Sequence, residues 1–212
     1  MRLTNASTQA IRYACQNFHY SGSMPSVQYG FNIYNDADEW CGVVCFGGGA
    51  CPSIGLPYGL CQGEVLELVR VALNGKQLAT SQCVAGALRE LHRQDPVVRL
   101  VVSYADIDQG HTGTIYQATN WIYEGVKNAG QRAAFVIHGR KMHPKTVYSY
   151  GWRQSVEWLR ENIDPGTTLL RTAGKHKYLY CFDRKLARKL RQRAQPYPKK
   201  VAALALAEVS GC

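Results

Sequence analysis

Glu64-Val-Leu-Glu-Leu-Val-Arg-Val-Ala-Leu73, Asn74-Gly-Lys-Gln-Leu-Ala-Thr80 and Ser81-Gln-Cys-Val-Ala-Gly-Ala-Leu-Arg-Glu-Leu-His-Arg-Gln94 lead into Val97-Val-Arg-Leu-Val-Val-Ser-Tyr104. This order decides the fold. The first and last runs are apolar, β-branched and of strand length. Between them Val84, Ala87, Leu88 and Leu91 recur at i, i+3, i+4 and i+7, the apolar stripe of a helix. Strand, short loop, helix, strand predicts a parallel β-α-β unit. The loop feeds a helix N-terminus, whose free N–H groups and positive dipole end suit an anion. Strict alternation puts Leu66, Leu68, Arg70 and Ala72 on one side of the first strand and Val65, Glu67, Val69 and Val71 on the other. A guanidinium amid apolar residues needs a partner. Either Glu67 or Asp106 neutralises Arg70, or it awaits an anionic ligand.

The second strand runs on to Asp106, and the polar turn behind it carries Asp108, Gly110, His111 and Gly113 before Thr114–Trp121, which can wind as a helix. In open α/β sheets ligands bind outside the carboxyl ends of the strands. Asp106, Asp108, His111 and Tyr116 are therefore candidates for chemistry, against the plainer reading of a solvated turn with capping side chains.

Upstream, Ile11, Ala14, Cys15 and Phe18 give Thr8–Tyr20 a helical stripe, with Ser7 or Thr8 as cap. His19 and Tyr20 fall where that helix breaks into Ser21-Gly-Ser-Met-Pro25, within reach of a cleft. Tyr29–Tyr34 and Trp40–Phe46 form a predicted hairpin. Gly47-Gly-Gly-Ala50 and the stretch to Gln62 read as loop. Downstream, 133–138 and 147–150 read as strands around the basic loop 139–145, and 154–162 as a helix. The segments 167–171 and 177–182 read as a hairpin, 184–195 as a basic helix with a Leu186/Leu190 seam, and 201–212 as a loose tail.

The 212 residues suffice for one large domain, and no apolar run reaches the roughly 18 residues of a membrane span. The N-terminus has no apolar signal core, so export is not expected. Eight cysteines occur without a CxxC pair, which argues against the usual zinc spacings and for reduced thiols. The formal charge of +10 is uneven: residues 1–170 hold 14 Lys/Arg against 13 Asp/Glu, whereas 171–200 hold 11 against 1. Such a block fits a polyanion. Lys175, Lys177, Arg184, Lys185, Arg188, Lys189, Arg191 and Arg193 are the predicted nucleic-acid contacts, and the chain divides into a 1–183 core and a 184–212 basic helix and tail.

The order of elements resembles the GNAT acyltransferase core, an α/β fold with a mixed sheet flanked by helices. Phe18-His-Tyr-Ser-Gly-Ser-Met-Pro25, Glu67-Leu-Val-Arg-Val-Ala72, Ser103-Tyr-Ala-Asp106 and Gly110-His-Thr-Gly-Thr-Ile-Tyr-Gln-Ala-Thr-Asn120 together resemble the bacteriophage Mom DNA-modification family. That resemblance implies conversion of adenine in double-stranded DNA to N6-carbamoylmethyladenine, shielding phage DNA from restriction in the cytoplasm of the infected bacterial host. It implies acetyl-CoA as co-substrate and iron as a cofactor. It implies a catalytic set of His19, Tyr20, Arg70, Asp106 and Tyr116, and His19, Tyr20 and Asp106 are the available iron ligand types. The coenzyme A thioester is expected along Val71, Leu73, Lys76, Gln77, Ala79, Thr80 and Ser81. The acyltransferase signature Q/R-x-x-G-x-G/A keeps only Ala79; Gln77 stands at a glycine position and narrows the room for a pyrophosphate. Two other readings stay open: an ordinary N-acetyltransferase, and a non-catalytic DNA-binding module.

Overall fold

The computed structural model describes residues 1–49 and 51–199. Ala50 of the glycine-rich turn and the predicted tail with Cys212 lie outside the described residues. The elements are β1 (Arg2–Asn5), α1 (Thr8–Phe18), β2 (Tyr29–Tyr34), β3 (Trp40–Gly47), β4 (Val65–Leu73), α2 (Thr80–Gln94), β5 (Leu100–Asp106), α3 (Thr114–Gln117), β6 (Ile122–Lys127), β7 (Arg132–Ile137), β8 (Arg140–Met142), α4 (Pro144–Ser149), α5 (Val156–Asn162), β9 (Thr168–Arg171), β10 (Lys175–Cys181) and α6 (Arg184–Arg191). A seven-stranded mixed sheet runs β1-β2-β3-β4-β5-β10-β6, and a second sheet runs β8-β7-β9. Helices flank the large sheet, the architecture that the acyltransferase resemblance implied.

The predicted amphipathic stripes explain where the helices lie. Ser7 caps α1 by accepting from the Ala10 amide, and Ile11, Ala14 and Cys15 bury against Val43, Cys45 and Ala72. On the other face α2 buries Val84, Ala87, Leu88 and Leu91 against Phe31, Phe46, Leu66 and Leu68. All seven described cysteines are free thiols.

Strand β4 departs from strict alternation. Phe46 of β3 pairs with Leu68, but Cys45 pairs with Arg70, so Val69 is an extra residue in the ladder. Such a bulge re-aims every side chain beyond it. Leu66 and Leu68 belong to the α2 side, Val69 and Ala72 to the α1 side, and Val71 and Leu73 return to the α2 side. Arg70 therefore does not share a face with Leu66 and Leu68 as predicted. The parallel ladder between β4 and β5 spans only Val65↔Leu100 to Glu67↔Val102, and beyond it the strands are not paired. A cleft opens between their carboxyl ends.

Downstream three readings are corrected. Residues 147–150 fall in α4 and its C-cap, because His143 accepts from the Lys145 amide and Pro144 presets the first helical φ. Segments 168–171 and 175–181 are not a hairpin: β9 pairs with β7, whereas β10 inserts between β5 and β6. The helix from Thr114 ends at Gln117, and β1, β6 and β8 were not foreseen.

Residues 132–171 thus form a lobe inserted between β6 and β10, with its own small core of Phe135, Ile137, Val147 and Leu159. Helix α6 is docked on the large sheet, with Leu186 and Leu190 packed among Leu100, Val102, Ile122 and Leu179. Its N-cap, Asp183, also takes a hydrogen bond from Arg99, which bridges to Glu64 at 3.0 Å. Among the described residues no helix is long and apolar enough to cross a membrane.

The lobe core makes a direct prediction. Phe135→Ala removes a fully buried ring and should cost about 3–5 kcal/mol. The lobe should become sensitive to limited proteolysis while hydrogen exchange of β3, β4 and β5 stays protected. Loss of protection throughout the chain would mean that lobe and sheet fold as one unit.

Candidate active site

The cleft between β4 and β5 holds a cavity of about 420 Å³, within the range of small-ligand sites. All five predicted catalytic residues line it: His19 and Tyr20 from the end of α1, Arg70 from the bulged strand, Asp106 from the end of β5 and Tyr116 from α3. His111 and Lys175 join the rim, and Val71 is the one member of the expected coenzyme A set on the wall.

Arg70 has no carboxylate partner within ion-pair distance among the described residues. Asp106 is not paired with it, as one of the three readings had supposed. Its Nη1 donates to the Val69 carbonyl at 2.8 Å, and Nε and Nη2 donate to the Ser23 carbonyl at 3.3 and 3.2 Å. These bonds tie the bulge to the loop after α1.

His19 is held in one tautomer. Its Nδ1 accepts the Ser21 amide at 3.2 Å and lies 2.9 Å from the Ser21 hydroxyl, so the proton of the neutral ring belongs on Nε2. Burial, with the positive charges of Arg70 and His111 behind it, lowers its pKa to about 4. At neutral pH the ring is an uncharged donor. Its basic nitrogen is already engaged, which sets His19 below Asp106 as a proton acceptor.

Asp106 accepts the Asp108 amide at 3.0 Å and caps the turn Ile107–Gln109. Asp108 has a different role from the one expected: its two carboxylate oxygens hold the stem of the lobe, one bonded by the Thr172 hydroxyl at 2.6 Å and the other by the Ala173 amide at 2.9 Å. It does not line the cavity.

Tyr116 is buried, and burial pushes its phenol up to about 12. Ser103 Oγ lies 2.8 Å from the Tyr116 hydroxyl and 3.2 Å from the Leu68 carbonyl. Gly113 starts α3 at φ +74, and a Cβ there would stand 2.3 Å from the Tyr178 ring. That close approach seats Tyr116 against Tyr178 and Trp121, each ring 5.0 Å away. At the mouth the Tyr20 ring lies between His19, tilted at 4.3 Å, and His111, edge-on at 5.6 Å. Partial burial and the negative charge of Asp106 raise its phenol, against the pull of Arg70.

Sequence reasoning passed over Glu67, Tyr104 and Ser103 as site residues. Glu67 and Tyr104 line the same cavity. The signal for Glu67 was available, since a carboxylate inside an apolar strand needs a reason as much as Arg70 does.

The remaining coenzyme A set, Leu73, Lys76, Gln77, Ala79, Thr80 and Ser81, lies off the cavity at the loop before α2. No side chain caps α2, whose N-cap is Ala79, so an anion can reach its first amides. Gln77 lies across that loop, accepting from the Gly75 amide at 3.0 Å and donating to Thr80 Oγ1 at 3.2 Å. Lys76 pairs with Glu39 at 3.5 Å. The iron expectation fares worse. Among the described residues no group of three His, Cys, Asp or Glu side chains could hold a metal ion. His19 and Asp106 have no third His, Cys, Asp or Glu among the described residues that would complete such a group with them.

A mixed α/β sheet whose parted strand ends carry an arginine, carboxylates and tyrosines around one cavity defines the class of protein. Residues 1–199 match the family model of the Mom protein family, and the chain belongs to that family. Comparison with the curated proteins gives no match. Among solved structures, a putative acetyltransferase from Acinetobacter baylyi is similar at 10% identity and TM-score 0.48, over 86% of this chain and 92% of that one. A Bacillus subtilis acetyltransferase in complex with CoA is similar at 8% identity and TM-score 0.47, over 86% and 99%. A spermidine/spermine N-acetyltransferase from Vibrio cholerae reaches 10% and 0.44, over 88% and 98%.

The lowered pKa of His19 has a consequence for stability. The unfolded chain takes up a proton on this ring near pH 6.5, the folded one only near pH 4. Stability contributed here is present above pH 6.5 and is lost as pH falls toward 4. His19→Gln should therefore show a smaller drop in melting temperature between pH 6.5 and 4.5 than the unaltered protein. Parallel curves would mean that the ring is not desolvated.

Proposed function

We propose that the chain is a transferase that converts adenine in DNA to N6-carbamoylmethyladenine, with acetyl-CoA as co-substrate, and so protects phage DNA from restriction in the infected bacterial cell. The observation that carries this reading is the convergence of His19, Tyr20, Arg70, Asp106 and Tyr116 on one cavity in a chain of the Mom family. The exocyclic amine of adenine is conjugated with its ring and is a poor nucleophile, so it must be oriented and its proton accepted. Asp106 is the group for that proton, since it is the carboxylate at the strand end and its one hydrogen bond leaves acceptor capacity. Tyr20 and Tyr116, both protonated at neutral pH, and His19 through Nε2 are donors for a carbonyl oxygen on which charge builds. Arg70 matches negative charge from the side of β4. The amine is hidden in a duplex, so the adenine must leave the stack to enter the cavity.

For coenzyme A the uncapped start of α2 supplies amides at Thr80 and Ser81, and the phosphates would have to displace Gln77 from the loop. The thioester supplies an activated two-carbon unit. A carbamoylmethyl product needs more than acyl exchange. No step is assigned to iron.

The product decides the reading. DNA from cells expressing the chain, digested to nucleosides and examined by mass spectrometry, should contain deoxyadenosine with carbamoylmethyl on N6. Asp106→Asn should abolish it while leaving melting temperature and DNA affinity near those of the unaltered protein. An N6-acetyl product would favour an ordinary N-acetyltransferase. Unmodified DNA alongside abundant folded protein would favour a non-catalytic binding module.

A further inference from the structure

The charge block at 171–200 does not cluster at the cavity. Along β10, Lys175 faces Asp106 at the cavity end and Cys181 faces Leu100 at the other, about 20 Å away at the rise of a strand. Helix α6 starts beyond Cys181, at the far end. Lys177 is removed from the DNA-binding set altogether: it is buried, 3.2 Å from Glu124, with its ammonium over the Tyr58 ring. Only Lys175 of the block lines the cavity.

The inserted lobe is attached at the cavity end instead. Its stem at Thr172 and Ala173 is bonded to Asp108, two residues from Asp106, and the Ile107 amide donates to the Gly174 carbonyl at 3.2 Å. The positive charges of Lys141 in the lobe and Lys175 help hold the Asp108 carboxyl below its usual range, after its hydrogen bonds to Thr172 and Ala173. The charge of Lys141 is thus felt at Asp108, where the stem is bonded.

The composition of the lobe was hidden by averaging. Residues 132–171 hold seven Lys/Arg against three Asp/Glu, while 1–131 hold eight against ten. Arg140, Lys141, Lys145 and Arg153 are exposed, and none forms an ion pair among the described residues. Beside them Tyr148 is 73% and Tyr150 60% exposed. Tyr150 is 5.1 Å from Trp152, at the edge of a shallow depression that Tyr148, Trp152 and Arg153 line. Isolated exposed tyrosines are ordinary, but rings interleaved with unpaired cations are the composition of a surface that follows a nucleic-acid backbone and stacks on bases.

We propose that the exposed basic and aromatic side chains of the lobe, rather than α6, form the main DNA-contacting surface, gripping the strand beside the adenine that enters the cavity. The basic side chains take phosphates, and Tyr148 and Tyr150 cover sugars and unstacked bases. This rests on the DNA reading above. It also gives the insertion a purpose: it holds the duplex at the mouth of the site, where a grip on α6 would leave the cavity at the other end of the strands.

The test compares three variants of the full chain, all at exposed positions, by anisotropy of a fluorescein-labelled duplex carrying one mispaired adenine. Arg140→Gln/Lys141→Gln/Lys145→Gln/Arg153→Gln should flatten the dependence of log affinity on log salt by about 0.9 for each phosphate no longer neutralised. Arg188→Gln/Lys189→Gln/Arg191→Gln/Arg193→Gln removes the same charge and should keep most of the slope. Tyr148→Ala/Tyr150→Ala should weaken binding about fivefold or more at unchanged slope, because a stacking ring releases no counterion. Equal flattening by the two basic variants, or a larger effect of the α6 variant, would overturn the proposal while leaving the DNA reading intact. Lobe variants that keep DNA binding but lose polyglutamate would assign the face to an acidic protein and overturn it too. No binding of DNA by the unaltered protein would bring down both readings.

Discussion

One extra residue in one strand organises the site. Val69 has no partner in the ladder between β3 and β4, and this bulge bends β4 away from β5 after their three parallel pairs. Had the ladder continued, Arg70 would have faced α2 with Leu66 and Leu68, where an unpaired guanidinium is costly. The bulge instead turns it toward α1 and the Ser23 carbonyl. The same bend leaves the carboxyl end of β5 unpaired on that side, so Asp106 borders a cavity and not a neighbouring strand. Active-site geometry and sheet irregularity have a single cause.

Hydrogen bonding then separates the roles of chemically similar residues. Asp106 and Asp108 are two positions apart, yet one carboxylate has a single amide partner and the other has both oxygens engaged by the lobe stem. An acceptor already holding two donors has little capacity for a reacting proton. His19 likewise has its lone pair occupied and only an N–H to offer. Of these three residues, Asp106 keeps the most acceptor capacity.

The sequence made α1 and α2 legible because each buries one face at a period of 3.6, and β3, β4 and β5 legible because each is a short apolar run buried largely on both faces. Motif resemblance located the five residues that meet in the cavity. The bulge was not legible: Val69 and Arg70 continue an apolar alternation, and only the register with Cys45 and Phe46 shows the extra residue. Nor was β6, where Glu124 and Lys127 interrupt the apolar pattern although Glu124 is paired with the buried Lys177. The strand reading at 147–150 failed for a related reason. Val147 is the one buried residue of α4, so a single turn of helix left too few apolar positions to show its period.

Charge counting failed in a way that follows from topology. Summing 1–170 gave near balance because an acidic sheet domain and a basic insertion lie next to each other in sequence. The excess after 171 looked like one patch, but β10 carries its charges along the length of the sheet and turns one of them inward against Glu124. Linear density of Lys and Arg measures the field only when the segment is a single exposed element. Here the block runs from the rim of the cavity, through the interior, to a helix on the far end of the strands. The cations lining the site come from two separate segments, Lys175 from β10 and Arg70 from the bulge. The insertion, by contrast, returns to the end of β5, where Asp108 ties its stem two residues from Asp106.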